Sequence, residues 1–209
     1  MADSVNFIRT QKPVIFKIGI YVAMINLLLS ALLIIGLPVI ITQKLGFSQQ
    51  MGNQLYGICE GALAAGGLLG GILAGVLSKR LRLESSYILL FAGSILILPI
   101  AFALLFSFSS ILSYFIILVC CFLIMAFSTI FSIQMLAYVQ FVTPPDLVGK
   151  IMALMMTVSM CAAPLGQAIY GGLFEIMSDK LYLIFFFAAA ASCAVALFSR
   201  KAFSAIANA

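Results

Sequence analysis

Residues 18–41 read IGIYVAMINLLLSALLIIGLPVII, a stretch of 24 residues without a charged side chain. An α-helix needs roughly 20 predominantly apolar residues to cross a hydrocarbon core about 30 Å thick. Arg9, Lys12 and Lys17 precede the stretch, as basic residues precede a signal peptide. Its apolar run nevertheless exceeds the roughly 7–15 residues of a cleavable signal core. We therefore interpret the stretch as a retained transmembrane helix.

Five further segments of similar character follow, so the sequence predicts an all-α integral membrane protein with six transmembrane helices. The connections between them are short and contain Gly, Ser, Asn, Pro and charged residues, which leaves no room for a soluble domain. We expect a cytoplasmic N-terminal segment (1–17), a six-helix bundle (18–199) and a cytoplasmic tail (200–209). The predicted spans are 18–41, 54–77, 86–106, 111–133, 153–175 and 181–199.

The overall composition agrees with a location in the lipid bilayer and argues against several functions. Of the 209 residues, 65% are hydrophobic and 8% are charged, whereas a typical soluble domain is about 45–50% apolar and about 25% charged. The chain contains no His, which removes His-ligated metal sites and His-based acid–base catalysis. No span carries paired acids or a phosphotransfer pattern, so we expect no enzyme, no cofactor and no metal site.

The basic residues indicate orientation in the membrane rather than nucleic-acid binding, because they are scattered between apolar runs. With the N-terminus in the cytoplasm, the inside segments hold nine Lys and Arg residues, and the outside loops hold only Lys44 and Lys180. We therefore expect a multi-pass protein of the cell (plasma or inner) membrane with both termini cytoplasmic. The nine inside residues are Arg9, Lys12, Lys17, Lys79, Arg80, Arg82, Lys150, Arg200 and Lys201.

An internal repeat relates the two halves of the chain. The segments GGILAGVL (70–77) and GQAIYGGL (166–173) both read G-x-x-x-x-G-x-L and lie 96 residues apart. The same offset superimposes the second predicted span on the fifth, and roughly the first three spans on the last three. Because three is odd, the two triplets cross the membrane in opposite directions, as in many secondary transporters. We therefore predict a 3+3 inverted repeat, with repeat one at about 18–106 and repeat two at about 111–199.

Glu60 is the most informative single residue, because a charged side chain in hydrocarbon costs at least about 2.5–3.5 kcal/mol. It lies in the second span, roughly 9 Å below the outer surface by helical rise. On a helical wheel it shares a face with Ala64, Gly67 and Gly71, so we expect it to point into the bundle. There it would carry a proton or contact a cation; alternatively, it is an acid that simply reaches the outer interface.

Further polar side chains in or beside the spans are Asn26, Ser30, Gln134, Tyr138 and Gln167. Each can hydrogen-bond a substrate or merely a neighbouring helix. Together these five residues would line a weakly polar cavity with Phe and Met walls, suited to an amphiphilic organic molecule.

Pro164 lies at the centre of the fifth span, where it removes a helical hydrogen bond and predicts a kink. Gly166 beside it adds flexibility. Such a kink is either a gating pivot or a static bend, and the sequence leaves both open.

Three motifs resemble the major facilitator superfamily of transporters, specifically its C-terminal six-helix half. GVLSKRLR (75–82) resembles the family's cytoplasmic G-x-x-x-D-R-x-x-R/K loop, with Lys79 in place of the Asp. VTPPDLVGK (142–150) resembles the V-P-P-E-x-R-G-R loop, with Val148 in place of the first Arg. PLG (164–166) resembles the P-L-G of the branch that holds macrolide-efflux and siderophore-export proteins. The resemblance covers about residues 13 to 199.

The resemblance implies a proton-driven exporter of small organic molecules that works by the rocking of two six-helix halves. It also implies that cytoplasmic loop residues hold an inner gate by bridging to carboxylates or helix C-termini, unless they only set the topology. A complete member has about twelve spans, so this chain would work with a second six-helix half, either a separate chain or a second copy. The loop residues concerned are Lys79, Arg80, Arg82, Gly149 and Lys150.

Two other interpretations remain open from the sequence. The chain would also fit a six-helix substrate-binding membrane subunit of an energy-coupled importer, which captures one ligand tightly and recruits an ATPase through small-residue helix faces. It would also fit a fragment of a transporter that has lost its function.

Overall fold

The computed structural model of the chain describes residues 13–77, 86–106 and 108–207, and all regular secondary structure within these ranges is helical. Six helices in the described ranges are long and apolar enough to cross a membrane, which confirms the predicted number. The chain is therefore a multi-pass membrane protein by helix length and composition.

We name the six helices α1 to α6 in chain order. Helix α1 consists of α-helical segments at Pro13–Ile25 and Ala31–Val39 and of π-helical segments at Asn26–Ser30 and Ile40–Lys44. Helix α3 consists of two segments, Ser86–Ile95 and Ile97–Leu105. The others are uninterrupted: α2 is Gln49–Val76, α4 is Ser110–Val142, α5 is Pro145–Ile176 and α6 is Leu181–Ala207.

Two of the helices are longer than the predicted spans at the junction between α4 and α5. The prediction ended the fourth span at residue 133 and began the fifth at 153, whereas the helices meet at Thr143. Thr143 is extended, with φ −100° and ψ 132°, because a residue before proline is disfavoured in the helical conformation. Pro145 takes the first helical position, where its missing N–H costs nothing. Hydropathy marks only the part of a helix inside hydrocarbon, so it does not indicate these ends.

The prolines within the spans have different effects on their helices. Helix α3 is interrupted at Leu96, three residues before Pro99, whose missing N–H removes one helical hydrogen bond. In α1, a π-helical segment follows Pro38. Helix α5, in contrast, continues as one α-helix through Pro164 and Gly166. The predicted pivot at this place therefore involves no break in the helix, and its role in gating stays a prediction.

Three pairs of helices make the most extensive contacts: α2 with α4, α1 with α5, and α3 with α6. Helix α3 also packs on α4, and α6 also packs on α1. The first two pairs cross at glycines. A Cβ at Gly70 would collide with the backbone of Ala126 on α4, and one at Gly166 would collide with the backbone of Leu27 on α1. Small residues at these crossings therefore allow the close helix contact that stabilises bundles in lipid.

Candidate substrate groove

Neighbouring helices cover only one narrow face of helix α2, so most of its side chains lie on uncovered faces. Only 22% of its most apolar window is buried, compared with 50% in α1. One of its uncovered faces is apolar and includes Ile72 and Val76, while another carries Glu60 and Ala64. Gly66 and Gly70 face α4, and Gly52 faces the C-terminal end of α1. The buried residues of α2 are Gly52, Cys59, Gly66, Gly70 and Ala74.

Glu60 lies on an open face of α2 and not inside the bundle, where the sequence analysis expected it. Its side chain is exposed, as is that of Ala64, and Gly67 and Gly71 on the same face are half-buried. The shared face was predicted correctly, but the helix is turned so that Gly70 meets α4. Because α2 carries glycines on several faces, the sequence does not indicate which of them allows the closest approach.

Glu60 borders a groove of about 320 Å³ between α1, α2 and α4. Ser30 lines the groove from α1 and Ser128 lines it from α4, so each helix contributes one polar side chain. All three residues lie close to the middle of their helices, which places the groove near the centre of the membrane-spanning region. The rest of the lining is apolar and comprises Leu29, Leu33, Ile34, Leu63, Ala64, Ile124 and Met125.

The hydroxyl of Tyr56, one helical turn earlier, neighbours the Glu60 carboxylate but brings no positive charge. The described residues that line the groove include no Lys or Arg. An ionisable residue at this depth is costly and commonly marks a substrate, ion or proton pathway. The groove can therefore receive a positively charged group.

Asn26 joins two helices and does not line the groove. Its Nδ2 donates hydrogen bonds to the Ser159 hydroxyl on α5 at 2.7 Å and to the Val22 carbonyl on its own helix at 3.1 Å. Asn26 is also the first residue of the π-helical segment Asn26–Ser30, which ends at the serine in the groove. We therefore interpret Asn26 as a packing residue between α1 and α5. Because it begins the π-helical segment that ends at Ser30, and such segments are frequent at functional sites, we also infer that it helps to position Ser30.

Gln134, Tyr138 and Gln167 are also separate from the groove, so the five polar residues predicted to share one cavity do not do so. Gln134 Oε1 accepts a hydrogen bond from the Ser86 hydroxyl at 3.0 Å, and its Nε2 is buried without a partner among the described residues. Tyr138 and Gln167 are half-buried on α4 and α5. Of the predicted polar residues, Glu60 and Ser30 line this groove.

The residues predicted to form an inner gate are described only in part. Gly149 and Lys150 are exposed in the first turns of α5. Lys79, Arg80 and Arg82 lie outside the described residues, so the predicted gate stays a prediction.

Sequence analysis missed Ser128, which lines the groove, and Tyr56, which neighbours Glu60. Tyr56 precedes Glu60 by four residues, a spacing that brings side chains together on a helix. This signal was therefore present in the sequence. Ser128 gave no such signal, because it reaches the groove only through the contact between α2 and α4.

Lys44, Glu175 and Asp179 lie together at the predicted outer end of the bundle. Cavities of about 250 and 370 Å³ open there, and Lys44 lines both. Asp179 lines the first cavity, and Glu175 lines the second. Each of these acids therefore shares a cavity with Lys44, whereas no Lys or Arg lines the groove at Glu60 among the residues that the structure describes.

The groove thus combines one carboxylate, two hydroxyls and adaptable apolar walls near the middle of three membrane-spanning helices. Comparison of the chain with protein-family models, with curated proteins and with solved structures finds no match.

Proposed function

We propose that the chain is one six-helix half of a secondary active transporter, which exports small amphiphilic molecules in exchange for protons by alternating access. The observation that carries the proposal is the groove at Glu60, a carboxylate-bearing cavity near the membrane centre on a face that the chain leaves open. Secondary transporters bind substrate near the bilayer midplane between structural repeats. Export and proton coupling come from the resemblance to the major facilitator superfamily.

The glycines of the repeated motif have matching environments, which supports the 3+3 inverted repeat in this proposal. Gly70 and Gly166, the first glycines of the two motifs, both lie so close to the backbone of another helix that a Cβ would not fit. Gly75 and Gly171, the second glycines, both have open space where a Cβ would lie. The partner helices correspond as well, because α2 meets α4 and α5 meets α1, in each case the first helix of the other triplet.

A second correspondence involves Ser94 on α3 and Ser192 on α6, the third helices of the two triplets. The serines are 98 residues apart, close to the offset of the motifs. Both are buried, and both line one small cavity between α1, α3 and α6. A pseudo-two-fold axis that relates the triplets would pass between these two residues.

A second six-helix half would cover the open faces of α2 and α5. These two helices have the same low buried share, 22%, whereas the other four have 39–50%. They are the second helices of the two triplets, and in a complete transporter the substrate lies between the halves. The partner is a separate chain or a second copy of this one, and the mass of the complex in mild detergent distinguishes the two.

Efflux from cells tests the proposal through Glu60. In a strain that lacks its chromosomal copy and carries the gene on a plasmid, we expect Glu60→Gln to abolish efflux of a fluorescent amphiphilic compound. The variant removes the only carboxylate of the groove but keeps its size. The amount of the chain in the membrane fraction should not change. Glu175→Gln, which alters an acid near Lys44 at the outer end, is the matched control and should export normally.

Undiminished efflux from the Glu60→Gln variant would contradict the role of this residue. Tight, saturable binding of one ligand without efflux, together with an ATPase that copurifies, would instead indicate the substrate-binding subunit of an importer.

A further inference from the structure

We propose that the groove at Glu60 binds lipophilic organic cations, meaning amines or quaternary onium ions that carry bulky apolar groups. The inference rests on the proposed function, since it names the substrate class of the same site. Its basis is the combination of one carboxylate, without a Lys or Arg among the described lining residues, with walls that are otherwise almost entirely hydrocarbon.

The charge of the groove favours a cation over a neutral or anionic ligand. The hydroxyl of Tyr56 neighbours the carboxylate, but the described residues that line the groove include no Lys or Arg that would neutralise it. A charge at this depth is stabilised by an opposite charge in contact with it. A bound cation would supply that charge, whereas an anion would be repelled.

The donor atoms favour an organic cation over a metal ion. Ca²⁺ and Mg²⁺ take about six to eight oxygen ligands, whereas the groove provides one carboxylate and two hydroxyls, those of Ser30 and Ser128. The described residues contain no group of three or more Cys, Asp or Glu side chains that could hold a metal. A delocalised or alkylated cation needs no such shell, because apolar contacts provide most of its binding free energy.

The size and the walls of the groove fit a bulky apolar ligand. A volume of about 320 Å³ lies at the lower end of the roughly 300–1,000 Å³ of small-molecule sites. Leu, Ile and Met side chains from three helices form its walls, and Met125 can adapt its shape to different ligands. We therefore expect selection by charge and hydrophobicity, with little selection by shape.

Binding of tetraphenylphosphonium to the full chain in phosphatidylcholine nanodiscs tests the inference. Triphenylphosphine oxide, which has similar apolar groups but no net charge, is the comparison probe. We expect saturable binding of the cation, and Glu60→Gln should weaken it by about tenfold or more through loss of the ion pair. Glu60→Asp, which keeps the charge, should retain most of the affinity and exclude a folding defect. Glu175→Gln should bind as the unaltered chain does.

The inference is wrong if the cation does not bind, if the neutral probe binds as tightly, or if Glu60→Gln keeps the affinity. Export of neutral compounds by the same cells would then leave the proposed function intact. Conversely, Glu60-dependent binding of tetraphenylphosphonium without efflux of any compound would support the cation site and contradict the exporter.

Discussion

At the residue scale, the glycines of the repeated motif are of two kinds, close-packed and open. We expect Gly70→Ala and Gly166→Ala to lower the free energy of unfolding by about 1–3 kcal/mol, because the added methyl meets backbone atoms of another helix. Gly75→Ala and Gly171→Ala should be neutral or stabilising by up to about 1 kcal/mol, because Ala favours the helix. Unfolding of the purified chain by SDS in mixed micelles measures all four.

Equal effects at the four glycines would contradict the close contacts of Gly70 and Gly166. A difference in one triplet without the corresponding difference in the other would contradict the inverted repeat, because the repeat places both motifs in equivalent surroundings.

At the scale of helical elements, the polar contact between Asn26 and Ser159 joins α1 to α5. Hydrogen bonds between membrane helices contribute about 0.6 kcal/mol on average and up to about 1.7 kcal/mol. We expect a coupling free energy in this range from a double-mutant cycle with Asn26→Ala and Ser159→Ala. We expect this coupling because Asn26 Nδ2 donates a hydrogen bond to Ser159 Oγ at 2.7 Å.

Thr157→Ala provides the control for this cycle. Thr157 lies on the same helix as Ser159, but its hydroxyl donates a hydrogen bond to the Ala153 carbonyl of that helix. It should therefore show no coupling to Asn26. A coupling as large as that of Ser159 would mean that the effect of Asn26 spreads through α5 and does not come from the hydrogen bond.

At the scale of the whole molecule, the distribution of basic residues predicts the orientation of the bundle. Lys44 and Lys150 are both exposed and lie at opposite ends of the helices. In intact cells, a membrane-impermeant maleimide should label Lys44→Cys and should label Lys150→Cys only after permeabilisation. The unaltered chain, which has five cysteines of its own, gives the background. Labelling in the reverse order would place both termini outside.

The sequence by itself determined the helical class, the number of spans and their approximate positions. Hydropathy and proline positions are local properties, so each span can be recognised without knowledge of its neighbours. Glu60 could be selected as well, because an acid in an apolar span is rare for reasons of solvation that need no structure. The spacing of Tyr56 to Glu60 was equally present in the sequence.

Only the tertiary structure decided which helix faces meet and which side chains share a cavity. In a soluble helix the apolar stripe marks the buried side, but in lipid both the interior and the exterior are apolar, so no such contrast exists. The turn of α2 about its axis therefore depends on the fit of Gly70 against α4. That fit leaves Glu60 on the open face and brings it to Ser30 and Ser128, which are distant in the chain.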